Sequence, residues 1–183
     1  MDNSRKILEQ GLAEMQIPVS ELQVDLLLAF VQLIEKWNKT YNLTAIRHRE
    51  DMLRLHILDS LVLVPFVAGS KVADIGTGAG LPGIPLAILL PNQQFTLVDS
   101  NSKKTRFVQQ AILELKLQNV EVKHSRVEEL GQAGVYDVVM SRAFASLSDI
   151  MQLTQYLLQA EGVLVSMKGH TPKEELDALG RQY

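Results

Sequence analysis

Two hydrophobic periodicities divide the chain near Gly69-Ser70. Before that point Leu22, Leu26, Ala29, Phe30, Leu33 and Trp37 recur at spacings of three and four behind Ser20, a capping residue type, which predicts an amphipathic helix. Tyr41-Asn42-Leu43-Thr44 breaks the period, and Met52, Leu55, Ile57, Leu58 and Leu61 begin a second helical stretch. No run before residue 70 reads as a strand. After it, short apolar runs at Lys71–Asp74, Phe95–Asp99, Val120–Lys123, Tyr136–Ser141 and Gly162–Lys168 alternate with amphipathic segments at Pro82–Leu90, Lys103–Leu117 and Leu147–Leu158. Ser146 is placed to cap the last of these, and Thr171-Pro172 to start one more helix. This alternation predicts an α/β fold, a parallel sheet covered on both faces with its functional loops at the strand carboxyl ends. Residues 1–69 read as a helical N-terminal extension and residues 70–183 as the α/β domain, the two forming one compact unit.

Composition removes several chemistries. The 183 residues include no cysteine, which excludes disulfides, thiolate metal sites and cysteine nucleophiles. Eighteen basic against 21 acidic side chains give a net charge of -3, so any nucleic-acid contact must be local. The start of the chain mixes Arg5, Lys6 and Glu9 and lacks a signal-like apolar stretch, and the most apolar run, Ile57–Ala68, is interrupted by Asp59 and Pro65. A cytoplasmic protein with no membrane contact is expected. His124 and His170 offer no metal-ligand spacing, and no metal is expected.

The densest chemistry lies in Asp74-Ile75-Gly76-Thr77-Gly78-Ala79-Gly80-Leu81-Pro82-Gly83, a strand end running through glycines into a helix. Gly78 to Gly83 satisfies the dinucleotide pattern G-x-G-x-x-G, with Asp99 about 20 residues on as a ribose acid. Asp74-x-Gly76-x-Gly78-x-Gly80 is the acidic-glycine loop of S-adenosylmethionine-dependent methyltransferases. Charge separates the two. A carboxylate at the strand end favours an ammonium and a sulfonium and repels a pyrophosphate, so Asp74 supports the methyl donor. An ordinary tight turn for the glycines, and helix capping for Asp99, remain the alternatives.

Methyl transfer from a sulfonium asks chiefly for positioning, so the acceptor decides what else is needed. Carbon-5 pyrimidine methylation generally requires the missing cysteine. The loop after the fourth strand is Ser141-Arg142-Ala143-Phe144, not the Asn/Asp-Pro-Pro-aromatic loop common in exocyclic amine methylation. Arg142 is ill suited to accept a proton but pairs with guanine acceptors, and a ring nitrogen such as guanine N7 attacks without losing one. A structural ion pair is the alternative for Arg142.

Lys36-Trp37-Asn38-Lys39, Tyr41-Asn42-Leu43-Thr44, His56-Ile57-Leu58-Asp59-Ser60, the long glycine loop through Leu86, Ser125-Arg126-Val127-Glu128-Glu129, Ser141 to Leu147 and Lys168-Gly169 occur in this order. Together they resemble the small-subunit ribosomal RNA guanine-N7 methyltransferases, also called glucose-inhibited division protein B, over nearly the whole chain. The resemblance implies a Rossmann-like class I methyltransferase sheet with a helical N-terminal extension, S-adenosylmethionine as cofactor, and 16S ribosomal RNA in the small ribosomal subunit as partner. It implies that Gly76 and Leu81 contact the donor, that Val127 and Glu128 lie at its adenine end, and that Arg142 closes the site near the methionine end or the target base. Family members run some tens of residues longer, so the C-terminal strands are expected to be missing or short.

Asp74, Gly76, Gly78, Gly80, Leu81, Asp99, Val127, Glu128 and Arg142 are thus the expected donor-binding residues. Arg142 and Lys168 are the catalytic candidates, and Lys103, Lys104, Arg106 and Arg126 the RNA contacts. A monomer is expected. Lys36, Lys39, Arg47, Arg49 and Arg54, interleaved with Trp37 and Tyr41, form a further mixture able to grip RNA, although Trp37 also continues the apolar stripe. His56 is expected to make a structural hydrogen bond, to Asp59 or to backbone. A donor-binding ribosome-docking module without turnover and a dinucleotide-dependent oxidoreductase are the rival functions.

Overall fold

A computed structural model of the chain describes residues 3–131, 133–142, 146–169 and 173–179. Ala143, Phe144, His170, Thr171 and Pro172 lie outside the described residues. Helices α1 (Ser4–Glu14) and α2 (Glu21–Tyr41) come first, then a continuous helical stretch of α3 (Arg49–Met52), a π-helical segment Leu53–Leu58 and α4 (Asp59–Leu61). The sheet region follows as β1 (Lys71–Ile75), α5 (Gly83–Leu89), β2 (Gln94–Asp99), α6 (Ser102–Leu115), β3 (Val120–His124), β4 (Tyr136–Arg142), α7 (Leu147–Thr154), β5 (Leu158–Met167) and α8 (Lys173–Leu179).

All five strands are parallel, in the order β3-β2-β1-β4-β5. The order reverses between β1 and β4, and a crevice opens at the carboxyl ends of strands at such a point. Central β1 and β2 are buried from their second residue onward, as expected of a parallel sheet covered on both faces, whereas β5 at the edge is half-exposed. One face and the N-terminal helices share a single core that joins Leu8, Phe30 and Leu61 to Phe95, Phe107 and Met140. Phe30 of α2 stacks on Phe107 of α6 with ring centroids 6.2 Å apart. The opposite face packs Ala73, Ile75, Val98 and Val139 against Leu157, Leu153 and Tyr156.

Several expectations shift. Helix α1 gives little signal in the sequence, because its buried Ile7, Leu8 and Leu12 are few among charges. In α2 the capping box at Ser20 and Gln23 forms, and Phe30 and Leu33 of the predicted stripe are buried, but Val24, Leu27, Val31 and Ile34 complete the buried face and Leu22 is 66% exposed. The helix is apolar on so much of its circumference that periodicity leaves the phase open. The π-helical turn likewise rotates Leu55 outward while burying Leu53, His56 and Ile57. Helix α7 stops at Thr154 rather than Leu158, because a 3-10 turn, Gln155–Leu157, buries Leu157 and sends the chain into β5 four residues before the predicted Gly162. The extra residues form a bulge: Leu158 opposes Tyr136 and Val163 opposes Val138.

Candidate functional site

A cleft of about 580 Å³ lies at the carboxyl ends of β1, β2 and β4. Gly76, Asp99, Lys104, Arg126, Val127, Glu128 and Arg142 line it, gathering expected residues from four loops. Ser100, Asn101 and Leu153 also line it and carry no motif of their own; only their place beside Asp99 or on α7 could signal them.

The glycine loop closes one wall. Gly76, Gly78 and Gly80 have φ of 73°, 59° and 78°, a region that residues with a Cβ rarely adopt. The amides of Gly76 and Thr77 donate to the Val98 carbonyl at 2.9 and 3.0 Å, tying the loop to β2. Gly78 donates to Asp99 Oδ2 at 2.9 Å, and Asn101 donates to Asp99 Oδ1 at 2.8 Å. Each carboxylate oxygen of Asp99 therefore retains acceptor capacity for a hydroxyl, as recognition of a ribose diol requires. Asn101, not Asp99, caps α6, accepting from Lys103 and Lys104 amides at 3.0 and 3.4 Å.

Asp74 sits beneath the loop and outside the cleft lining, 0% exposed. Its Oδ2 accepts the Thr77 hydroxyl at 2.8 Å and the Gly83 amide at 3.0 Å, while buried Oδ1 has no hydrogen-bond partner among the described residues. Burial pushes its pKa up to about 6; the bonds from Thr77 and Gly83 and the charge of Arg142 oppose that rise, and Asp99 adds to it. Gly80 and Leu81 lie inside the same turn, and the Leu81 side chain is buried in the core, so what Leu81 can offer the cleft is its main chain.

Arg142 ends β4 with its side chain mostly buried and Asp59 Oδ2 3.9 Å from its guanidinium. Burial lowers its pKa, while Asp59 and then Asp74 raise it. Its charge also reaches His56, whose pKa is lowered chiefly by burial and secondly by Arg142. His56 bonds to Thr44, not Asp59, as its side-chain partner: Nε2 lies 2.8 Å from Thr44 Oγ1, and Nδ1 3.2 Å from the Leu55 carbonyl. The carbonyl can only accept, which assigns the Nδ1–H tautomer and makes the Thr44 hydroxyl the donor to Nε2.

Val127 and Glu128 form a 3-10 turn at the other end of the cleft, Val127 buried and Glu128 exposed, and the Tyr156 hydroxyl donates to the Val127 carbonyl. The remaining candidates divide. Of the three cations beginning α6 only Lys104 reaches the cleft; Lys103 and Arg106 are exposed on the helix. Lys168 does not line the cleft. Its Nζ lies 3.1 Å from Glu175 Oε2, which also accepts the Leu147 amide at 2.6 Å, so Lys168 belongs to a contact tying α8 to the start of α7. Among the described residues no group of three or more His, Asp or Glu could hold a metal, and no helix is long and apolar enough to cross a membrane.

Solved structures with this fold include a SAM-dependent methyltransferase of Aquifex aeolicus (TM-score 0.52, 19% identity, 68% of this chain and 74% of that one). A precorrin-6y C5,15-methyltransferase of Geobacter metallireducens is another (TM-score 0.54, 20% identity, 66% of each chain). Curated relatives named ribosomal RNA small subunit methyltransferase G are 52% identical in Ectopseudomonas mendocina, over 93% of this chain and 80% of the relative. The protein of that name in Psychromonas ingrahamii is 45% identical over 100% of this chain and 86% of its own. The family model described as rRNA small subunit methyltransferase G matches residues 23–183. With such identity over nearly its whole length, and with the glycine loop and cleft in place, the chain belongs to the rRNA small subunit methyltransferase G family.

Proposed function

We propose that the protein transfers a methyl group from S-adenosylmethionine to N7 of a guanine in 16S ribosomal RNA of the small ribosomal subunit. The observation that carries this reading is the glycine loop clamped between Asp74 and Asp99 beside a cleft that ends at Arg142. The cleft volume falls in the usual range for small-molecule sites, roughly 300–1,000 Å³. Asp99 has acceptors for the ribose hydroxyls, Val127 and Glu128 border the adenine end, and the main chain of Gly76 and Leu81 lies along the donor. Gly78 and Gly80 hold the turn. Asp74, buried behind it, sets a negative field suited to a cationic ligand.

When bound, the donor supplies a methyl on a sulfonium: the new bond forms to N7 as the carbon–sulfur bond breaks, leaving a neutral thioether. The N7 lone pair lies in the ring plane and carries no proton, so no general base is needed. Arg142 donates to guanine O6 and leaves N7 free to attack. Lys104 and Arg126 at the rim and Lys103 and Arg106 on α6 meet RNA phosphates. Lys168 acts from behind, through α7 and α8. In this reading residues 1–69 extend a methyltransferase domain of residues 70–183, and the protein works in the cytoplasm as a monomer without a metal. The test is incubation with labelled donor and small subunits from a strain lacking the modification: label enters 16S RNA if the reading holds. Donor binding without incorporation is the outcome of the non-catalytic alternative.

A further inference from the structure

The donor cleft uses none of the cations that precede the sheet, and the structure sorts them. Arg54 faces Glu50 at 3.5 Å, and Lys36 lines neither the cleft nor the cavity around Lys39. Trp37 and Tyr41 stack on each other with centroids 5.2 Å apart, and Trp37 packs on Phe107 at 5.8 Å, so the indole serves the core. Lys39, Arg47 and Arg49 instead converge with Glu35, Asn38 and Met52 around a second cavity of about 390 Å³.

Arg49 is matched to Glu35 at 2.5 Å. Among the described residues Arg47 donates only to neutral acceptors, the Asn38 carbonyl at 3.3 Å and Asn42 Oδ1 at 3.1 Å. The Lys39 ammonium has neither a hydrogen bond nor an ion pair among the described residues. Three cations against one carboxylate leave a formal charge of +2 in a chain whose total is -3. The end of α2 lies here, and helix carbonyl ends disfavour anions; Arg47 sits on the Asn38 carbonyl and offsets that. With one apolar residue and no aromatic ring among the described residues of its lining, the cavity suits an anion rather than a base.

Its position is fixed relative to the cleft. The Asn38 amide donates to the Thr44 carbonyl at 3.0 Å and its Oδ1 accepts the Thr44 amide at 3.0 Å; the Thr44 hydroxyl meets His56 at 2.8 Å. His56 shares its helical stretch with Asp59, the partner of Arg142. Two hydrogen-bonded links therefore connect the cavity to the helical stretch that faces Arg142 of the cleft.

We propose that this cavity is a phosphodiester site, in which Lys39 and Arg47 hold a backbone phosphate of the RNA near the target nucleotide. It rests on the reading of the protein as an RNA methyltransferase. The test measures small-subunit binding against salt, KM for subunits and donor affinity in Lys39→Glu and Arg47→Ala, with Lys6→Glu on α1 as the matched charge control. Removing one phosphate-binding cation lowers the slope of log affinity against log salt by about 0.7–0.9. The expected result is such a drop and a KM raised about tenfold or more in Lys39→Glu, with kcat and donor affinity unchanged. A smaller change of the same kind is expected in Arg47→Ala, and none in Lys6→Glu. Wild-type slope and KM in both cavity variants, or an equal effect of Lys6→Glu, overturns the proposal. Failure of the wild type to methylate RNA overturns the functional reading instead, and the binding slopes keep the two apart.

Discussion

Asp74 holds the amide of Gly83 at 3.0 Å from nine residues away, closing the glycine turn onto the strand that starts it. The same oxygen takes the Thr77 hydroxyl, while its twin is buried without a partner among the described residues. The carboxylate thus sustains the loop at an electrostatic cost, which makes it titrate abnormally.

Asp74 binds its proton more tightly in the folded state, with a pKa of about 6 against 3.8 for the free group. The native state then holds more protons than the unfolded one between those values, so stability falls as pH rises through that window, by about 3 kcal/mol in all. Urea unfolding from pH 4 to 7 should show this fall in the wild type and a flatter profile in Asp74→Asn. Parallel profiles would count against the burial of a titrating Asp74.

Two glycines of the turn should fail differently. A Cβ at Gly83 would come within 2.2 Å of Leu97 and 2.8 Å of Asp74 Oδ2, so Gly83→Ala should cost about 1–3 kcal/mol of stability by overpacking. A Cβ at Gly78 meets nothing closer than 3.9 Å, and its next neighbour is Lys104 of the cleft. Gly78→Ala should weaken donor binding more than it lowers Tm, beyond the strain of its φ of 59°. Calorimetry beside thermal melts separates the two.

Removing a positive neighbour raises a histidine pKa. Arg142→Ala should therefore move the His56 titration upward toward its ordinary value, read by NMR of the imidazole, while burial keeps it below that value. An unmoved His56 would mean that Arg142 does not face the N-terminal helices. The same variant should lose most methyl transfer.

Lys168→Ala and Glu175→Ala distinguish support from chemistry. The Lys168–Glu175 pair is partly exposed and is worth about 1 kcal/mol or less, whereas Glu175 also accepts the Leu147 amide. Glu175→Ala should lower Tm more than Lys168→Ala, and Lys168→Ala should keep transfer within about tenfold of wild type. A loss of a hundredfold or more in Lys168→Ala at unchanged Tm would make Lys168 catalytic.

The sheet is legible in the sequence because the interior strands β1, β2 and β4 are written as compact apolar runs and edge strand β3 as an apolar/polar alternation, and β1 to β4 fall within two residues of their predicted bounds. The glycine turn and Asp99 at the end of β2 are legible because glycine spacing marks the turn and the charge of Asp74 chooses between the two cofactors that this spacing admits. What periodicity does not supply is tertiary. The phase of α2 depends on which side meets α6, the π-helical turn has no signature in apolar spacing, and the early start of β5 follows from burial of Leu157. Asp74 is expected beside the ligand as a charge; its position under the turn depends on bonds to Thr77 and Gly83 that sequence does not show. Lys168 likewise acquires its partner from a helix that follows it.

The most direct measurement is to digest 16S RNA from small subunits incubated with the protein and methyl-labelled donor, then identify the labelled nucleoside and locate it by the chain scission to which N7-methylated guanine is prone. The account predicts a single N7-methylguanosine, lost in Asp99→Ala through donor binding and in Arg142→Ala. Label on another atom or base, or transfer that survives both substitutions, contradicts it.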